Sequence, residues 1–351
     1  MPRHEYSPPL LLRNGHLNTI VGGRLRRVPP PDYARERIDT PDGDFLDLDW
    51  AFASKPKTSK PESGNTPADR ARHAVVIAHG LEGNSDKPYI RGMVRTLTQA
   101  GHDVVAWNFR GCSGEPNRQL HFYHSGATDD LDTVLRHVRT RYDHVALVGF
   151  SMGGNKVLKY LGEQGDRALA DAGVTFSVPC DLTTSAEVIE RRENRIYLKR
   201  FIRSMQAKVA EKASLFPGLL DTEGLEKIVS FREFDDRYTA PLHGFRDALD
   251  YWEKASCIHV LEDIRRPALL INAQDDSFLS PSCTPDSDNP YLEVDTPRFG
   301  GHIGFVTRRG PYYTERRTLE FLARIWSERD GRRDRPKAKQ PQFAEEQPAA
   351  T

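Results

Sequence analysis

The apolar positions of this chain fall into two alternating periods. Phe45 to Phe52 alternates apolar and polar, as a half-buried strand does. Ala74-Val75-Val76-Ile77-Ala78, Val104-Val105-Ala106-Trp107 and His144-Val145-Ala146-Leu147-Val148 are continuous β-rich runs of the kind that a strand buried on both faces requires. Val174 to Val178 and Ala268 to Asn272, with Pro267 just before the latter, repeat that signature. Between them the period changes. From about Thr128 to Arg141, Leu131, Val134, Leu135 and Val138 form one apolar stripe with charges opposite, and Gly154 to Gly162 carries Val157, Leu158 and Leu161 at helical spacing. Strands alternating with helices predict an α/β fold, with a mostly parallel central sheet flanked by helices on both faces. The carboxyl ends of the strands are then the expected place for an active site.

Three stretches break the pattern. Residues 54–72 are rich in Lys, Pro, Ser and Gly and read as a long exposed loop, and Cys283 to Pro290 reads as a shorter one. The tail, 329–351, is charged and rich in Pro and Gln and reads as disordered. Residues 183–263 are helix-rich and heavily charged, yet lie between two sheet strands. Long inserted segments in enzymes tend to be lids, so this one is expected to be a helical cap; the bland alternative is a surface excursion. The organisation expected is a single domain over residues 1–328, with the cap inserted at 183–263.

Composition narrows the function classes. The 351 residues carry 50 Lys and Arg against 50 Asp and Glu, so no broad positive field draws in nucleic acid. No apolar run is long enough to span a bilayer, and Met1 to Asn14 does not read as a signal peptide. The four cysteines, Cys112, Cys180, Cys257 and Cys283, lack C-x-x-C spacing. They fit reduced thiols in a cytoplasmic protein better than a disulfide framework or a zinc site. The basic stretch Arg191 to Arg203 allows peripheral membrane contact, although a solvated helix face is the preferred reading.

The chemistry is written most clearly at Gly149-Phe150-Ser151-Met152-Gly153. This G-x-S-x-G lies between a strand run and a helical run, the context of a nucleophile elbow, in which a serine stands on a tight turn. A general base is expected downstream, and Gly300-Gly301-His302-Ile303-Gly304 offers His302 on a glycine-flanked loop. An acid is expected after the preceding strand, where Asp275 and Asp276 compete. Counted from the strand end, Asp276 takes the acid's place and Asp275 would cap or brace the loop. After the Ala78 strand, His79-Gly80-Leu81-Glu82-Gly83 suits an oxyanion hole built from the amides of Leu81 and Met152. His79 reads as a loop-shaping residue, and Arg110 to Gly114 as structural. The order Ser, Asp, His is that of the α/β-hydrolases.

With these residues in view the chain resembles the YheT-like hydrolases of the α/β-hydrolase superfamily, relatives of the eukaryotic α/β-hydrolase-domain lipases. The resemblance rests on Gly15 to Ile20, His79 to Ser85, Asn108 to Gly114, Gly149 to Asn155, Thr239 to Phe245 and Gly300 to Val306, and runs from about Gly15 to Trp326. The family usually has Gln at Asn18 and Pro at Ser277. The resemblance implies the α/β-hydrolase fold and hydrolysis of a small-molecule or lipid-like carboxylic ester, of short to medium chain, with no metal or organic cofactor. Two other readings use the same residues: acyl transfer to an acceptor other than water, or a non-catalytic binding protein on this fold.

Overall fold

The computed structural model describes residues 6–53 and 73–333. The expected loop at 54–72 lies outside the described residues. Eight strands form one sheet: β1 (Ala34–Asp39), β2 (Phe45–Ala51), β3 (His73–Ala78), β4 (Asp103–Asn108), β5 (His144–Phe150), β6 (Ala172–Phe176), β7 (Ala268–Ile271) and β8 (Leu292–Asp295). Their spatial order is β1-β2-β4-β3-β5-β6-β7-β8. The β1–β2 and β2–β4 pairs are antiparallel and all others parallel.

Period two explains the continuous apolar runs. In β3, Ala74, Val76 and Ala78 enter the core on one face of the sheet, while Val75 and Ile77 enter the core on the other. Helices cover both faces: α2 (Pro88–Gln99) and α10 (Tyr313–Arg333) on one, α3 (Asp129–Arg139) and α4 (Met152–Gln164) on the other. α10 runs to Arg333, past the expected domain end at 328, and 334–351 lies outside the described residues. A short N-terminal helix, α1 (Gly15–Ile20), continues into a π-helical turn, Val21–Leu25.

Strand β2 differs from a half-buried strand. All seven of its residues are buried, including Asp47 and Asp49. Leu46, Leu48 and Trp50 face the core, while Arg37 and Arg35 of the neighbouring β1 form forked ion pairs with Asp47 and Asp49 at 2.7–2.9 Å. A buried carboxylate survives because a guanidinium answers both its oxygens.

Between β6 and β7 the chain leaves the sheet. It forms α5 (Leu182–Ile189), α6 (Arg195–Leu215), the one-turn helices α7 (Phe231–Phe234) and α8 (Ala240–Leu242), and α9 (Ala248–Ala255). Asp181, Ser230 and Asp247 start α5, α7 and α9 by accepting a backbone N–H of the first turn. The excursion has its own apolar clusters, around Phe234 and Tyr238 and around Tyr251 and Trp252. Asn155 of α4 ties it down: its side chain donates to the carbonyls of Ser125 and Ala255 and accepts from the Cys257 N–H. All four cysteines are buried free thiols.

Candidate active site

Four loops at the carboxyl ends of parallel strands build the site. Ser151 follows β5 directly and is the N-cap of α4, with φ 51° and ψ −121°. Few side-chain-bearing residues adopt that conformation, and it is held here from both sides. The Ser151 N–H donates to the Phe176 carbonyl at the end of β6, and the Ser151 carbonyl accepts the first helical N–H, from Asn155. Gly149 and Gly153 make the turn possible by close approach. A Cβ on Gly149 would come within 2.6 Å of the Gly153 carbonyl oxygen, and one on Gly153 would strike the carbonyls of Ala78 and His79.

His302 Nε2 lies 2.9 Å from Ser151 Oγ, and His302 Nδ1 lies 2.9 Å from Asp276 Oδ2. Asp276 is buried and also accepts from the Phe278 N–H through Oδ1. Its neighbour Asp275 turns the other way and accepts the Gly301 N–H through Oδ1. One aspartate therefore faces the histidine ring and the other braces its loop. Phe278 stacks on the imidazole at 4.2 Å between ring centroids.

The histidine loop is held by groups far away in sequence. The His302 N–H donates to Thr19 Oγ1, whose own hydroxyl donates to the Gly15 carbonyl. Asn18, fully buried, accepts the Val306 N–H and donates to Tyr6 Oη and the Leu12 carbonyl. The Ile303 N–H donates to Ser177 Oγ. Ile303 and Phe305 have positive φ, 60° and 46°, in a loop fixed by these contacts. Asn18 and Thr19 belong to the Gly15–Ile20 motif, which marks them only through the family resemblance. Nothing local in the sequence marks Ser177.

Leu81 and Met152 border the same space as Ser151 and His302. Met152 is the first residue of α4, where backbone N–H groups have no helical acceptor. Gly80 brings the β3 loop close, since a Cβ on it would sit 3.2 Å from Ser151 Cβ. His79 stands back from the site. Its Nδ1 donates to the Gly80 carbonyl and its Nε2 accepts the Phe109 N–H. Burial lowers its pKa to about 3, so the ring is neutral. Arg110 is buried among Asp42, Asp44 and Asp130, a structural ion cluster.

A cavity of about 960 Å³, counting its open mouth, extends from Ser151 beneath the excursion. Its walls include Met152, Ile189, Phe201, Phe231, Phe234 and Trp252. Asp235 also lines it, bonded to Thr239 Oγ1 and Trp252 Nε1, and burial pushes its carboxyl up to about 7.

Residues 73–308 match the α/β hydrolase fold family. The chain belongs to the α/β-hydrolase family. It is 34% identical to the YheT protein of Escherichia coli (strain K12) over 308 residues, 86% of this chain and 87% of that one. It is 30% identical to the human phospholipase ABHD3 over 86% of this chain and 73% of that one. It is 27% identical to the monoacylglycerol lipase of Saccharomyces cerevisiae, over 89% and 79%. Among solved structures it is similar in fold to the Pyrococcus furiosus esterase Pf2001, with a TM-score of 0.54 at 16% identity, over 84% of this chain and 92% of that one. The α/β hydrolase GrgF from a Penicillium species gives 0.55 at 16% identity, over 84% and 99%. The relatives' names are of esterase and lipase type. Among the described residues, no helix is long and apolar enough to cross a membrane.

Proposed function

We propose that this α/β-hydrolase is a serine carboxylic ester hydrolase, of short- to medium-chain esterase or lipase-like type. One observation carries the reading: Asp276, His302 and Ser151 form a continuous hydrogen-bonded chain that ends at a strained serine on the wall of an apolar cavity. His302 Nε2 takes the proton as Ser151 Oγ attacks the ester carbonyl. Asp276 fixes the tautomer that carries its proton on Nδ1 and stabilises the imidazolium that forms. The amides of Leu81 and Met152 receive the oxyanion; losing one such donor costs about 3–4 kcal/mol of transition-state stabilisation. His302 returns the proton to the leaving alcohol, and water then repeats the sequence on the acyl-enzyme. The helices of 183–263 act as the cap that keeps bulk water from the acyl chain.

The test is a panel of p-nitrophenyl esters from acetate to palmitate, with wild type and Ser151→Ala side by side. Turnover by wild type, lowered about 10⁴-fold or more in the variant, is the expected result. Equal rates in the two proteins would overturn the assignment.

A further inference from the structure

A second cleft, of about 940 Å³ counting its open mouth, also reaches Ser151 and His302. It shares Leu81, Glu82, Phe201 and Phe278 with the apolar cavity, so the serine stands where the two spaces meet. The walls of the two differ in chemistry. The second cleft carries three cations from three separate elements: Arg24 from the π-helical turn after α1, Lys87 from the residue before α2, and Arg200 from α6. Among the described residues none of the three sits in an ion pair. Glu82 lines both spaces, but its carboxylate is taken by Lys208 at 3.0 Å, Ser204 Oγ and Tyr123 Oη. The cleft therefore presents an unneutralised positive field. Burial and then the nearby Arg200 charge push the Lys87 pKa down, and the charges of Glu82 and Asp86 only partly oppose them.

An ester has two arms, and the reacting carbon must lie at Ser151 Oγ. A long aliphatic acyl chain needs the apolar walls, which leaves the alcohol arm for the cationic cleft. Resting on the hydrolase reading above, we infer that the preferred substrate is an ester whose leaving alcohol carries an anionic group, phosphate or carboxylate, received by Arg24, Lys87 and Arg200. In the acylation step the Ser151 Oγ–acyl bond forms and the ester C–O bond breaks. The serine proton passes through His302 to the departing oxygen, and the alcohol leaves with its anion unchanged.

The experiment compares three esters of one medium-chain fatty acid: a monoacylglycerol, the same monoacylglycerol bearing a terminal phosphate, and an acyl lactate. The readout is the ratio of kcat/KM for each anionic ester to that for the neutral one. Wild type is expected to favour the phosphate ester by about tenfold, the worth of one or two charge-assisted hydrogen bonds. A similar ratio for the lactate ester identifies a general anion site, and a ratio near one for it identifies a phosphate site. In the double variant Arg24→Gln/Arg200→Gln, whose altered side chains are exposed, the ratio should fall toward one. A wild-type preference absent for both anionic esters, or unchanged in the double variant, overturns the inference while leaving the hydrolase reading standing. Failure of wild type to exceed Ser151→Ala on any of the three removes that reading, and the inference with it.

Discussion

Ser151 spends stability on geometry. A residue with a side chain at φ 51° and ψ −121° costs about 1–3 kcal/mol relative to a relaxed backbone, and glycine bears that conformation without the steric penalty. Ser151→Gly is therefore expected to raise the urea midpoint, by about 1 kcal/mol in stability, while abolishing ester turnover. Asp235 makes a different sacrifice. Its folded pKa of about 7 lies above the ordinary carboxyl value of 3.8. Its contribution is complete below about pH 4 and is lost as pH rises through about 7, because the unfolded chain can ionise freely there. Asn fits its two bonds, accepting from Trp252 Nε1 and donating to Thr239 Oγ1. Asp235→Asn should flatten this decline and be the more stable protein at about pH 8, as read from urea unfolding at several pH values. The pair Asp275 and Asp276 marks the limit of residue-level reading. Spacing pointed to Asp276 but could not show which carboxylate faces the ring, because the backbone direction of the loop decides it.

At the scale of elements, legibility followed how local the stabilising contacts are. α3 was readable because its stripe of Leu131, Val134, Leu135 and Val138 lies within one helix, and the structure trims only its ends to Asp129–Arg139. α2 was readable in principle from Ile90, Met93, Val94 and Leu97. β1 was not: Ala34-Arg35-Glu36-Arg37-Ile38-Asp39 looks polar, and becomes a strand only because Asp47 and Asp49 across the ladder answer its arginines. β8 has four residues, and only Leu292 is buried. The strand expected at Val174–Val178 begins and ends two residues earlier, since Ser177 turns out of the sheet at φ 52°. The β3–β5–α4 junction carries a test of its own. A methyl at Gly153 meets the backbone carbonyls of Ala78, the last residue of β3, and His79, the next residue, which cannot rotate away. Gly153→Ala should cost about 1–3 kcal/mol in urea unfolding and lower kcat by pushing the β3 loop from Ser151.

At the scale of the molecule, Arg110 joins parts that are distant in sequence. Its guanidinium bonds Asp42 and Asp44 in the β1–β2 turn and Asp130 in α3 at 2.7–3.2 Å. Burial alone would raise Asp42, but the Arg110 hydrogen bond and charge, with the Thr40 hydroxyl, hold it below the usual carboxylate range. A depressed carboxyl contributes stability above its unfolded pKa and loses it as pH falls. Arg110→Met leaves these carboxylates without their cation, so it should cost about 3–5 kcal/mol at pH 7. The loss should shrink near pH 4, where protonated carboxyls need no counter-charge. Urea midpoints of the two proteins at both pH values check this.

By itself the sequence determined the alternation of strands and helices, the mostly parallel sheet and the elbow at Ser151. Those rest on period and on turn chemistry, which act between neighbours in the chain. Only the tertiary structure decided what Asp275 and Asp276 each face, that Thr19, Asn18 and Ser177 hold the histidine loop, and that two clefts of unlike chemistry meet at one serine. These depend on contacts such as Thr19 with His302, 283 residues apart, and on directions that a chain acquires only when its sheet closes around them.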